Sequence, residues 1–149
     1  MMRKLTALLI AFLVGSSGVP ANSTEQTAGT KPADLSVQLG RTDFLNYCAA
    51  CHGVGGKGDG TVAEFINIDV ADLTQLRKKN NGLFPRERVT EVIDGRIEVK
   101  VHGPRDMPVW GDWFRREAAS AGAVKGTQEE IVGARIKSLI DYIETIQEK

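Results

Sequence analysis

The chain has 149 residues, with 19 lysines and arginines balanced by 19 aspartates and glutamates, two histidines and two cysteines. That balance excludes the basic footprint of a nucleic-acid binder, and two cysteines are too few for a disulfide scaffold. The length suits one small domain with a single core.

Met1-Met2-Arg3-Lys4 is a short basic start, followed by an apolar run from Leu5 to Val14 and by small residues ending Val19-Pro20-Ala21. This pattern predicts a secretory signal peptide over 1–21, cleaved before Asn22, because Val19 and Ala21 meet the small-residue rule and the run is short for a membrane span. The alternative is an uncleaved anchor extended through Gly15 to Val19. Export predicts a periplasmic address. Removing Arg3 and Lys4 leaves 17 basic residues against 19 acidic ones, a formal charge of −2. Asn22 to Pro32 is Ser, Thr, Gln, Gly, Lys and Pro with hardly an apolar residue, which predicts a disordered leader over 22–32 ahead of one domain at 33–149.

From Leu35 to Cys51 the apolar residues Leu39, Phe44, Tyr47, Cys48 and Cys51 recur at mixed three and four spacing, predicting an amphipathic helix. Its last turn carries Cys48-Ala49-Ala50-Cys51-His52, the CxxCH signature of covalent haem attachment. Positions i, i+3 and i+4 of a helix share a face, so both sulfurs can bond one porphyrin edge while His52 reaches the iron. Three rivals fit less well. A thioredoxin-like dithiol belongs in a strand-helix-strand pattern, and a structural zinc wants four Cys or His ligands where the chain offers only Cys48, Cys51, His52 and His102. A Cys48–Cys51 disulfide closes a very small loop and leaves His52 without a role. Gly53, Gly55, Gly56, Gly58 and Gly60 end the helix and predict a loop able to lie close against the cofactor edge, the alternative being a flexible surface loop. With one CxxCH, one haem per chain is expected.

A short helix begun by Asp72, with Gln75 placed for a capping box, and another from Pro85 to about Ile93, ended by Gly95, follow on either side of Asn80-Asn81-Gly82. The alternation at Ile97, Val99 and Val101 predicts no more than an extended arm. Once the signal is removed Met107 is the only methionine. It lies in a polar loop, Gly103 to Pro108, where core filler is seldom needed, and Pro108 biases its backbone to the extended form. It is the candidate second axial ligand, a soft thioether that favours Fe(II) and raises the potential; His102 is the competitor. Trp110 and Trp113 suit pocket walls whose indole N–H groups can reach a propionate, and the planar forks of Arg96 and Arg105 suit propionate pairing, with a surface role as the alternative. Lys57, Lys78, Lys79 and Lys100 are either a docking ring or a solvated surface. Asp112 is placed to cap a turn through Trp113 to Glu117. Thr127 and Glu130 predict a capping box for the last helix, whose stripe is Val132, Ile136, Leu139, Ile140, Ile143 and Ile146.

Assembled, these residues resemble the class I cytochromes c, especially small bacterial periplasmic members carrying CHGxxGKGDG and MPVWG segments, here Cys51 to Gly60 and Met107 to Gly111. The resemblance covers most of the mature domain. It implies an all-α cytochrome c fold wrapped around one haem c, and a close crossing of first and last helices in which Gly40 and Phe44 meet Leu139 and Tyr142. The chain departs from the family in one respect. Members commonly place a proline beyond the haem histidine whose carbonyl accepts the imidazole N–H, and no proline occurs between His52 and Pro85. Some other carbonyl must orient His52. The expected function is soluble one-electron transfer with His52 and Met107 on the iron, between transient redox partner proteins, with no small-molecule substrate, no nucleic acid and no membrane span after cleavage. The alternatives are a cytochrome subunit of a periplasmic dehydrogenase or other haem enzyme, and a haem-based sensor. A chain folded around such a group should leave a cavity between His52 and Met107 when the group is removed.

Overall fold

Proline at a first helical position costs nothing, since its ring presets φ and the missing N–H has no intrahelical partner there. The computed structural model describes residues 31–66, 69–96 and 107–149, and in it helix α1, Pro32–Asp43, opens on that proline, three residues before Leu35. The helix does not stop at Asp43. Phe44–Cys48 make one π turn, closed by the Ala49 amide on the Phe44 carbonyl, and α2, Ala49–His52, continues the run. The inserted residue turns everything after it by roughly 100° about the axis relative to an unbroken α-helix. One continuous stripe was expected; there are two. Up to the first residue of the turn Gly40 and Phe44 face inward while Leu35 and Leu39 are about half exposed, and at its end Tyr47 and Cys48 pack against the core.

The last helix, α6, Lys125–Thr145, buries Val132, Ile136, Leu139, Ile140 and Ile143 on the expected stripe, with Ile146 just past its end. Its start differs. The N-cap is Val124, with no side-chain cap, and Thr127 and Glu130 lie inside the first turns. The Gln128 amide bonds the Val124 carbonyl at 3.1 Å and its side chain reaches the Ala123 carbonyl at 2.8 Å, so the backbone is already helical where the capping box was expected. Helix α5, Trp110–Ser120, likewise begins at an N-cap, Val109, ahead of Asp112, which sits in the first turn where a carboxylate favours the helix dipole. Helix α4, Arg86–Asp94, follows its signals: Pro85 stands before it and Gly95 ends it in the left-handed region. Asp72 caps a 3₁₀ turn, Leu73–Gln75, by accepting the Thr74 amide at 2.9 Å, and the short α3, Leu76–Lys79, follows. Gln75 does not return to Asp72; its amide donates to Thr74 Oγ1 and Glu148.

The largest helix interface is α1 on α6, with α5 and α4 packed beside it. A Cβ on Gly40 would run into the Ser138 carbonyl and meet the Leu139 amide nitrogen at 2.9 Å, so only glycine permits this crossing. The Phe44 and Tyr142 rings pack at 5.2 Å beside it. Phe44, Phe114, Leu139 and Val132 are the large side chains lost entirely from water, each contributing about 1.5–3 kcal/mol of burial. Among the described residues all regular structure is helical, and no helix is long and apolar enough to cross a membrane. The expected signal peptide and the arm at Ile97 to Val101 lie outside the described residues.

Candidate functional site

The last four carbonyls of a helix have no partner within it. For α2 every one is taken by the glycine-rich segment that follows: Gly53 N–H donates to Ala49, Val62 to Ala50, Gly60 to Cys51 and Gly58 to His52, at 2.8 to 3.1 Å. The loop is therefore docked across the end of the helix. It fixes the turn that carries Cys48, Cys51 and His52.

Both cysteines are free and partly buried. Burial first, then the charge of Asp43, then Cys51, push the Cys48 thiol up to about 12. A sulfur so reluctant to ionise is a poor redox nucleophile. The His52 ring is held by Nδ1, 3.0 Å from the Ala71 carbonyl oxygen. A carbonyl only accepts, so Nδ1 carries the hydrogen and Nε2 is left with the lone pair, the arrangement a metal-binding imidazole needs. Burial lowers the pKa of His52, with the Ala71 bond pulling the other way, which favours the neutral ring. Ala71 thus supplies the carbonyl for which no proline exists.

Met107 and Trp110 pack against the same apolar cluster as Cys48, Tyr47 and Leu73. Trp110 packs among aromatic side chains, edge-on to Tyr47 at 5.7 Å and stacked on Phe114 at 6.0 Å; Trp113 is 46% exposed, with Arg116 over its ring. Gly111 brings this segment against the end of α4, where a Cβ would strike Asp94 and come within 2.6 Å of Arg96 Nε. Arg96 is engaged by the protein itself, donating to Asp94 and, at 2.7 Å, to Glu129. Arg105 and His102 lie outside the described residues.

One cluster beside the site has no signal in the local sequence. Arg135 on α6 makes a two-pronged pair with Asp43 at 2.9 Å and donates to Glu117 at 2.7 Å, and Glu117 accepts the Tyr47 hydroxyl at 3.0 Å. Its guanidinium lies 3.9 Å above the Phe114 ring and 5.3 Å from that of Tyr47. Asp43 immediately precedes the π turn and Tyr47 lies within it, so one arginine contacts both the entry and the body of the turn that carries Cys48.

Two clefts open elsewhere, one of about 560 Å³ beside Ser36, Val37 and Asp141, and one of about 370 Å³ between α4 and α6. Neither is lined by Cys48, Cys51, His52 or Met107, so the cavity expected between His52 and Met107 is not one of them. Comparison with protein-family models, with curated proteins and with solved structures finds no match.

Proposed function

We propose that this chain is a monohaem c-type cytochrome of class I, an exported one-electron carrier rather than an enzyme. The observation that carries the reading is the state of the CxxCH turn: two free thiols and an imidazole at i, i+3 and i+4, with Nδ1–H committed to Ala71 and the Nε2 lone pair left over. The donor set fits haem c. Cys48 and Cys51 would hold it through two thioethers, and His52 Nε2 and Met107 Sδ would be its axial ligands. When bound, haem c supplies an iron that exchanges one electron between ferric and ferrous states. The close α1–α6 crossing at Gly40, Phe44, Leu139 and Tyr142 supports the class I fold that the resemblance implies.

The residues of the chain would do the rest. Ala71 keeps the His52 ring in one orientation and raises its donor strength, and Trp110, Tyr47 and Leu73 keep water from the inner side of the attachment turn. A thioether ligand from Met107 raises the potential over a second imidazole. Exchange with transient partner proteins in the periplasm needs only a small surface and brief contact. The test is purification from a host that exports and matures c-type haem. A coloured product with one haem adduct per chain, a near-infrared Met-to-Fe(III) band, and no carbon monoxide binding by the reduced form at neutral pH is expected. Met107→Ala should abolish the band and admit carbon monoxide. A colourless product of unmodified mass refutes the reading, and ready carbon monoxide binding by the parent chain replaces the carrier with a haem enzyme or sensor.

A further inference from the structure

Segment 69–72 has no regular structure, and no ring stiffens it. Even so, Ala71 must present its carbonyl to an imidazole 19 positions earlier in the chain. Two contacts fix its place. The Leu73 amide donates to the Gly56 carbonyl at 2.7 Å. Gly58 lies against the backbone of Val70 and Ala71: a Cβ there would collide with the Val70 carbonyl oxygen and lie 3.3 Å from the Val70 carbonyl carbon and 3.5 Å from that of Ala71.

Gly58 also donates its own N–H to the His52 carbonyl at 2.8 Å. One residue therefore touches the backbone of His52 on one side and the backbone that carries its hydrogen-bond acceptor on the other. Its φ of +81° belongs to the region glycine adopts freely and other residues rarely do.

We propose that Gly58 is a positioning residue for His52, the backbone spacer that sets the Ala71 carbonyl at hydrogen-bond distance from Nδ1 and so determines which ring nitrogen is free to bind iron. What the Ala71 bond does for the iron rests on the haem reading; the spacing itself does not. A methyl group at position 58 has no room, so Val70 and Ala71 must move away and the bond to Nδ1 must lengthen. Freed of it, an imidazole returns to the form ordinarily preferred in water, with the hydrogen on Nε2. Gly55 is the control, since a Cβ there meets only the Lys57 side chain at 3.9 Å.

The experiment is ¹⁵N NMR of the His52 ring in the full chain as purified from the maturing host, for the parent, Gly58→Ala and Gly55→Ala. The parent and Gly55→Ala should show a hydrogen on Nδ1 that exchanges slowly with solvent, and Gly58→Ala should lose it or exchange it at least tenfold faster. In a haem-loaded product the midpoint potential of Gly58→Ala should also rise, because the ring becomes a weaker donor. A parent ring with its hydrogen on Nε2 in a haem-free product, an unprotected Nδ1 hydrogen in a haem-loaded one, or a Gly58→Ala variant indistinguishable from the parent overturns the proposal. If Gly58→Ala does not fold, native-state exchange of the parent decides: the Gly58 amide and the Nδ1 hydrogen should open together, and independent opening overturns it. A haem-free product removes the cytochrome reading and leaves the tautomer measurement standing.

Discussion

Replacing Gly40 by alanine should destabilise the protein, although the same change in most helices does the reverse. Alanine exceeds glycine by about 1 kcal/mol in helix propensity, so an open site gains on substitution. Gly40 is not open: the new Cβ would press on the Ser138 carbonyl and the Leu139 amide nitrogen, both of them backbone. Neither can rotate away, so α1 and α6 must part along their main interface, loosening Phe44 from Tyr142. Overpacking costs about 1–3 kcal/mol, and the upper part of that range applies against rigid backbone, leaving a net loss of about 1–2 kcal/mol. For a domain of this size that lowers the melting temperature by roughly 4–8 °C. Gly133, inside α6 with nothing within 4 Å of its Cβ position, is the internal comparison. Gly133→Ala should gain about 0.5–1 kcal/mol and raise the melting temperature by roughly 2–4 °C. Thermal unfolding followed by circular dichroism reads both. Equal shifts in the same direction would refute the close crossing.

Arg135→Met leaves Asp43 and Glu117 facing each other without their cation and should cost about 2 kcal/mol in urea unfolding. Arg135→Lys, which keeps the charge but loses the fork, should recover less than half of that, and full recovery would mean that charge alone matters. The Asp141 carboxyl is raised by burial and lowered more strongly by the Lys137, Ser36 and Arg86 hydrogen bonds, ending at about 2. A carboxyl depressed in the folded state contributes stability that is fully present above about pH 5 and is lost as pH falls toward 2. With the exposed Lys137 partner screened by solvent, this amounts to about 1–2 kcal/mol. Asp141→Asn should flatten stability between pH 5 and 2 in acid titrations followed by circular dichroism, and an unchanged acid limb would disprove the assignment.

What can be read from the chain alone is what neighbouring residues determine among themselves. The CxxCH spacing places two sulfurs and an imidazole on one helical face whatever surrounds them. Pro85 and Gly95 bracket α4 because each acts on its own backbone dihedrals, and the apolar stripe of α6 follows from helical periodicity. The starts of α5 and α6 were less legible, since Val109 and Val124 are not capping residues and the helices extend to them through backbone bonds. The π turn has no local signature either. It adds one residue to a turn whose entry, Asp43, and inner residue Tyr47 are held by Arg135 and Glu117 on distant helices, and the Arg135 partner of Asp43 lies 92 positions away. The carbonyl that orients His52 comes from an alanine, a residue with no side-chain signal, placed by glycine backbone packed against it. Which side chains share a face is a property of their spacing, which sequence displays directly. How the His52 ring is oriented is a property of backbone groups brought together by chain closure, and every residue carries the same carbonyl, so only the tertiary structure selects which of them meet.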